Sequence, residues 1–473
     1  MGNKFKGLIK DVLIFAIGNI GSKLILFFLV PFYTNYLSKS EYGTTDLIFT
    51  IAQLVLPFVT IVIYDALLRY GFAKDERPED VLLASVIVLF FGAIVTFLFS
   101  GLFTLYDTVA PWRWYLSVYI ILNGVYSVNM NYLKVMDKNM AYTVISMLYT
   151  AMTASFNILF IAVYKLGVKG FMTAHIVSMS IAILLSMITG KIPSGLRKGR
   201  FRKDLMTEMI RYSAPLILNN ISWWVVQSSN KILVERFLGL EASGLFTVAS
   251  KMPALINVLI NIFSQAWGIS STKEYEDSND TGFYSSVLDV YSFICFGVCV
   301  ALLTIIKPFM GIYVAPEYFE AWKYIPILLA AATLASIAYY YGSLYGALKK
   351  TKNNMVTTLL AAVTNLAVSW FGIKAFGIYG AVAGTFASYL VMSVTRILDV
   401  GRYMTIRIDW RRFCLGCLIV IIQALLVSLD FHGFIASCIA IALFVVLYRG
   451  MIADLFKIIK KLLTNGKKTF EED

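Results

Sequence analysis

The sequence predicts an all-α integral membrane protein with 14 transmembrane helices, arranged as two pseudo-symmetric six-helix bundles followed by two C-terminal helices. Three observations predict it. The first is composition: of 473 residues, 59% are hydrophobic and 15% charged, whereas soluble domains are about 45–50% apolar and about 25% charged. The polar sequence is too scarce to cover the surfaces of the two or three soluble domains this length would require. The second is a succession of apolar stretches near the roughly 20 residues that a helix needs to cross the hydrocarbon core. The third is an internal repeat.

The elements follow in order. A basic segment with Lys4, Lys6 and Lys10 precedes an apolar stretch, 11–34, long enough to remain as a span rather than be cleaved as a signal peptide. Stretches 43–67, 81–105, 113–135, 141–164 and 169–189 complete a first bundle, assigned to 1–190. The longest polar stretch, Gly190–Arg211, supplies a basic cytoplasmic linker at 191–211. A second bundle, 212–402, contains 212–235, 243–268, 284–306, 323–347, 354–375 and 378–401. The remaining 403–473 holds spans 412–429 and 433–450 and a basic tail. Pro31, Pro57, Pro215, Pro253 and Pro326 fall within or near spans, where each frees a carbonyl and can bend its helix. Bends near Pro31, Pro57 and Pro253 are expected flexing points.

Charge sets the orientation. The net charge is +13, from 41 Lys and Arg against 28 Asp and Glu. With the N-terminus cytoplasmic, 30 of these cations, Arg396 among them, fall in inner segments and 8 in outer ones. Lys23, Lys231 and Lys251 remain inside spans. The positive-inside rule then places both termini in the cytoplasm of a multi-pass protein. A nucleic-acid partner loses its support, because no compact basic domain is left over. The cluster at Gly195–Lys203 reads as an orientation signal and a contact for anionic lipid.

The repeat appears at an offset of 201, where Asn19-Ile20 meets Asn220-Ile221, Tyr36-Leu37 meets Phe237-Leu238, Gly43 meets Gly244 and Leu54 meets Leu255. At an offset of 210, Gly167-Val168-Lys169-Gly170 meets Gly377-Ile378-Tyr379-Gly380. Both matches lie at equivalent topological positions and imply halves related by an axis along the membrane normal, the architecture of alternating-access transporters.

The 6+6+2 pattern, the run Phe237-Leu238-Gly239…Gly244-Leu245-Phe246-Thr247-Val248-Ala249-Ser250-Lys251, the two Gly-x-x-Gly turns and the basic clusters Lys134–Lys138 and Lys349–Lys352 resemble the polysaccharide-transporter branch of the MOP exporter superfamily, the Wzx-type flippases. The resemblance implies a MATE-like fold. It also implies a flippase that moves an undecaprenyl-diphosphate-linked oligosaccharide across a bacterial cytoplasmic membrane. The implied partners are that anionic lipid-linked oligosaccharide, a polysaccharide polymerase and a chain-length regulator, and the chain is implied to be a monomer. No bound cofactor is expected; a proton or sodium gradient is the implied energy source. Where the family often places an acid in the seventh helix, this chain reads Asn230-Lys231.

Candidate residues follow from charge inside the membrane. Lys23 lies mid-span with Asn19 and Ser22 on one face; a central lysine costs about 2.5–3.5 kcal/mol on insertion scales and belongs in a wet cavity or in a structural ion pair. Asn220, Trp223, Trp224, Gln227 and Lys231 make one polar and aromatic stripe on span 7. Lys251 begins another on span 8, through Asn257, Asn261, Ser264 and Gln265. Both lysines sit near the outer surface, where snorkelling is the alternative. Asp65 and Arg69, at the inner end of span 2, form either an i,i+4 pair or a gate and proton-coupling site. Glu235 and Arg236 form either an outer gate or a solvated hairpin pair. Tyr339, Tyr340, Tyr341 and Tyr345 are candidates for stacking on sugar faces or for helix packing.

Enzyme chemistry finds no motif. There is no Gly-x4-Gly-Lys-Ser/Thr loop and no nucleophile elbow. The cysteines, Cys295, Cys299, Cys414, Cys417 and Cys438, lack the ligand set of a zinc site and read as structural thiols. Three other functions stay open. They are a peptidoglycan-precursor flippase, a multidrug exporter, which the in-span lysines disfavour, and a membrane-embedded sugar-chain polymerase or ligase.

Overall fold

A computed structural model describes residue 25 and residues 27–277, 281–348 and 350–469, and the described residues are helical with short connections. The chain runs through α1 (27–36), α2 (Lys39–Thr60), α3 (Ile63–Gly71), α4 (Pro78–Leu98), α5 (Arg113–Val135), α6 (Asn139–Asn157), α7 (Gly167–Gly190) and α8 (Ile192–Lys198). It continues through α9 (Lys203–Leu238), α10 (Leu240–Lys251), α11 (Ala254–Asp277), α12 (Thr281–Tyr313) and α13 (Ile325–Ala347). It ends with α14 (Thr351–Phe376), α15 (Ile378–Val400), α16 (Trp410–Ser428) and α17 (Gly433–Thr469).

Among the described residues, a helix is found within each of the 14 expected stretches, in the first of them over 27–34. Among the described residues, ten are long and apolar enough to cross a membrane, or eleven if the bent pair α10–α11 counts as one span. The polar faces of α5 and α9 keep those two helices below that test, although they pack inside the bundle.

Helix contacts fall into two groups. In the first, α2 to α5 and α7 pack on one another, and α6 lies against α5 and α7. In the second, α13, α14 and α15 pack together, with α9 against α14 and α15, and α11 against α13. α16 and α17 rest on α12, and α16 also on α13. The halves meet where α2 crosses α9 and α10 and where α3 meets α9.

The local sequence explains the starts and breaks. α2 opens on a capping box in which the Glu41 amide donates to Ser38 Oγ at 3.2 Å and the Ser38 amide donates to Glu41 Oε2 at 2.9 Å. Pro57 is accommodated inside α2; the chain breaks four residues later, where Ile61 and Val62 take positive φ of 50° and 53°. That conformation is unfavourable for β-branched residues. At Pro253 the expected bend is present, and α10 and α11 meet at 45°. Pro31 and Pro215 are carried within their helices without a break.

The seventh long helix is longer than hydropathy suggests. It begins at Lys203 rather than 212 and runs for 36 residues, so the polar stretch 191–211 is largely helical. Its charges are fastened to the first half: Arg202 pairs with Glu76 at 2.5 Å, and the Arg200 amide donates to Asp80 Oδ1 at 2.8 Å. A hydropathy window cannot see such an extension, because polar residues prolong a helix beyond the apolar slab.

The repeat is visible in the backbone. Gly167 and Gly377, equivalent at an offset of 210, both take positive φ, 52° and 61°, at the starts of α7 and α15. At an offset of 201 the equivalent residues touch. A Cβ on Gly43 would lie 2.6 Å from the Leu240 carbonyl oxygen, and one on Gly244 would run into the carbonyl of Lys39, the counterpart of Leu240. α2 and α10 therefore cross through paired glycines on the pseudo-twofold axis, and that crossing defines one end of the inter-bundle interface.

Candidate functional site

Just below the Gly43–Gly244 crossing lies a buried ionic cluster. Asp46, one turn along α2 from Gly43, receives Lys231 of α9 at 2.6 Å and Lys251 of α10 at 3.1 Å. The Thr247 hydroxyl donates to the same carboxylate at 3.2 Å. The Asp46 and Lys231 side chains are only 10% and 15% exposed, and Lys251 35%. Two of the three expected span lysines are thus brought together by a carboxylate from the opposite half. Their contacts with Asp46 replace snorkelling as the account of where these ammonium groups sit.

A cavity opens on each side of the cluster. One, of about 280 Å³, reaches Asp46 and Lys251 and is lined by Tyr33, Tyr42, Thr45, Phe49 and His175. The other, of about 210 Å³, reaches Lys231 and is lined by Gln227, Ser228, Ser250, Asn257 and Thr385. The stripe residues Gln227, Lys231 and Asn257 therefore share one cavity. Asn220 is half-buried and Asn261 is exposed. Lys23, Asn19 and the side chain of Gln265 lie outside the described residues.

Trp223 and Trp224 face different neighbours. Trp224 Nε1 donates to the Thr50 carbonyl at 2.8 Å and ties α9 to α2. Trp223 stacks on Tyr339 at 5.1 Å. Of the four tyrosines considered for sugar stacking, Tyr340, Tyr341 and Tyr345 are buried, and only Tyr339 presents an accessible ring. Tyr340 is held between Trp267, 4.9 Å from its ring, and the Tyr284 carbonyl, to which its hydroxyl donates at 2.8 Å. Packing of α11, α12 and α13 consumes these three rings, which is the helix-packing alternative of the two expected for them.

Beyond the glycine crossing, Glu235 accepts hydrogen bonds from Tyr106 and, at 2.7 Å, from Thr108. Those donors lie in the loop between α4 and α5, so Glu235 also links the halves. Burial first, and then the Glu235 carboxylate, push the Tyr106 phenol above its ordinary value and keep it a donor. Arg236 is exposed and makes no ion pair with Glu235. At the opposite end, Arg69 does not pair with Asp65. Its guanidinium lies 4.5 Å over the ring of Tyr212 on α9, and Tyr70 stacks edge-on against the same ring. Asp65 is half-buried near Lys134 of α5.

Two charged or titratable residues escaped sequence reasoning besides Asp46. Arg396, assigned to an inner segment, is instead 1% exposed in the second bundle. It donates to the Ala338 carbonyl (2.7 Å), Asn354 Oδ1 (2.6 Å), Thr358 Oγ1 (2.9 Å) and Thr357 Oγ1 (3.2 Å). His175 is buried edge-on to Phe49, with Nδ1 2.9 Å from the Phe171 carbonyl. The signal for Asp46 lay in the repeat: it follows Gly43 by three residues, as Thr247 follows Gly244.

A family profile described as polysaccharide biosynthesis protein matches residues 8–267. Lsg locus protein 1 of Haemophilus influenzae is 20% identical over 378 residues, 77% of this chain and 92% of that protein. The lipid II flippase MurJ, in an inward closed conformation, superposes with a TM-score of 0.68 at 14% identity, covering 93% of this chain and 100% of that one. An inward-facing multidrug resistance MATE transporter of the MOP superfamily gives 0.64 at 15% identity, covering 80% and 97%. A helical chain with these paired halves and the fold of those structures, matched by the profile over more than half its length, is a multi-pass membrane protein that belongs to the polysaccharide biosynthesis protein family.

Proposed function

We propose that this protein is an alternating-access flippase that carries a lipid-linked oligosaccharide, on undecaprenyl diphosphate, from the inner to the outer leaflet of a bacterial cytoplasmic membrane. With both termini cytoplasmic, as the distribution of Lys and Arg supports, the Gly43–Gly244 crossing is the outer end. The observation that carries the reading is the Asp46–Lys231–Lys251 cluster, which closes that end between the halves.

The chemistry fits the cargo. A sugar–diphosphate head costs many kcal/mol to drag through hydrocarbon bare, and a polar, cationic path between two halves removes that cost. Gln227 and Asn257 supply hydrogen bonds, the Trp223–Tyr339 pair supplies an aromatic face, and Lys23, mid-span in the sequence, is the proposed further positive charge. The lipid tail remains in the bilayer. Rocking of the halves then opens the outer cluster and the inner contact between Arg69 and Tyr212, both of which are made in this structure, one at a time. Asp65, beside that contact, is the proposed coupling carboxylate for a proton gradient.

The test is reconstitution. Proteoliposomes holding the full chain are loaded with lipid-linked oligosaccharide, and headgroup exposure is followed with an impermeant glycosidase. Flipping that depends on the protein supports the proposal; the background rate of empty liposomes overturns it. The fold shared with MurJ favours one second reading, a peptidoglycan-precursor flippase, and lipid II in the same assay decides between the two.

A further inference from the structure

The outer cluster is short of negative charge. Two ammonium groups share one carboxylate, Lys231 on Oδ2 and Lys251 on Oδ1. No second carboxylate among the described residues lies within ion-pairing distance of either lysine. One anion between two cations leaves an excess positive charge, and beside Lys231, whose side chain is only 15% exposed, a further anion would be favourable.

The surroundings suit a larger anion. Each lysine borders a different cavity, and Asp46 stands between them. On the Lys231 side, where Ser250 and Thr385 donate to the Phe246 and Ala381 carbonyls, the hydroxyl of Ser228 and the amides of Gln227 and Asn257 line the wall. These donors match the oxygens of a phosphate ester. The carboxylate occupies the position between the two ammonium groups that a phosphate oxygen pair would take.

Position in the fold gives the exchange a consequence. Asp46 is on α2 in the first half, whereas Lys231 and Lys251 are on α9 and α10 in the second. Whatever takes the lysines from Asp46 removes the ion pairs that close the outer end. We propose that Lys231 and Lys251 form a phosphate-binding site that Asp46 fills in this state, and that the phosphate-bearing head of the cargo displaces Asp46 and so unlatches the outer seal. The proposal rests on the flippase reading above. It makes opening conditional on cargo: the ligand shifts the equilibrium only because it binds the lysines better than the carboxylate does.

The experiment is a spin-label distance measurement on the full chain in phosphatidylcholine nanodiscs. Leu105→Cys and Leu238→Cys place labels on exposed outer-end residues of the two halves. Cys414→Ser and Cys438→Ser remove the exposed native thiols. Undecaprenyl diphosphate is expected to move the distance distribution to longer values, and Asp46→Asn to produce the long distance without ligand. Asp46→Glu is expected to keep the short distance, and Lys231→Gln with Lys251→Gln to abolish the response to ligand.

Pyrophosphate alone reproducing the shift supports a site that reads phosphate. The same shift from phosphatidylglycerol vesicles overturns the assignment to cargo. An unchanged distance at saturating undecaprenyl diphosphate, in a preparation that flips lipid-linked oligosaccharide, overturns the displacement while leaving the flippase reading intact. Asp46→Asn retaining the short distance does the same.

Discussion

Asp46 holds Lys231 and Lys251 through contacts of 2.6 and 3.1 Å, and each contact crosses from one half of the molecule to the other. Removing one partner of a buried ion pair costs about 3–5 kcal/mol, because the remaining charge stays desolvated. Asp46→Asn is therefore expected to lower the thermal unfolding temperature in detergent. Adding Lys231→Gln to it is expected to recover part of that loss, since the double variant leaves one fewer ammonium unpaired. An unchanged melting temperature in Asp46→Asn would mean that the cluster contributes nothing to closure.

The lysines were legible in sequence as ions inside apolar stretches, but their partner was not. Asp46 lies near the start of its span, where an acid reads equally as an interfacial residue, and pairing it required knowing that α2 crosses α9 and α10. Arg396 was misplaced for a related reason: it lies near the end of its apolar stretch, while its satisfaction by a backbone carbonyl, an amide and two hydroxyls is a tertiary fact. Two expectations concern transport directly. Lys23→Ala is expected to abolish surface polysaccharide export at near-normal protein levels, read by immunoblot beside a polysaccharide stain; normal export would remove Lys23 from the path. Asp65→Asn is expected to flatten the pH dependence of transport in proteoliposomes, and an unaltered profile would exclude Asp65 as the coupling group.

At the scale of elements, close helix crossings set what the halves can do. α14 and α15 cross where Gly380 meets the backbone of Gly372 and Gly384 meets Ser369, small residues that let two helices approach. A Cβ on Gly380 has no room against that backbone, so Gly380→Val is expected to reduce the folded protein recovered in a monodisperse gel-filtration peak. Recovery at the wild-type level would show that the crossing yields. The crossing at Gly43 and Gly244 differs, because it joins the halves rather than building one of them. Both were readable as glycines in aligned turns of a repeat. Their contact was not, since a sequence offset identifies equivalent positions without showing that the symmetry axis passes between them.

For the whole molecule, two bundles are joined at one end by paired glycines, a three-residue ion cluster and the Glu235 hydrogen bonds, and at the other by Arg69 on Tyr212 and Arg202 on Glu76. Hydropathy and the positive-inside rule made the helical plan and its duplication legible, because both depend on composition along the chain. They could not register the charged beginning of α9 or the burial of Tyr340, Tyr341 and Tyr345, which depend on neighbours distant in sequence.

Alternating access requires the outer end to open in every cycle. Thr108 and Glu235 touch across that end at 2.7 Å. Replacing both with cysteine, in a chain with Cys414→Ser and Cys438→Ser, allows a short bifunctional thiosulfonate to clamp the halves together and a reductant to release them. The decisive measurement is the rate of lipid-linked oligosaccharide flipping in proteoliposomes before clamping, after clamping and after reduction. The account predicts that flipping falls to the protein-free background in the clamped protein and returns on reduction. Flipping at the unclamped rate while the outer end is held shut would contradict it.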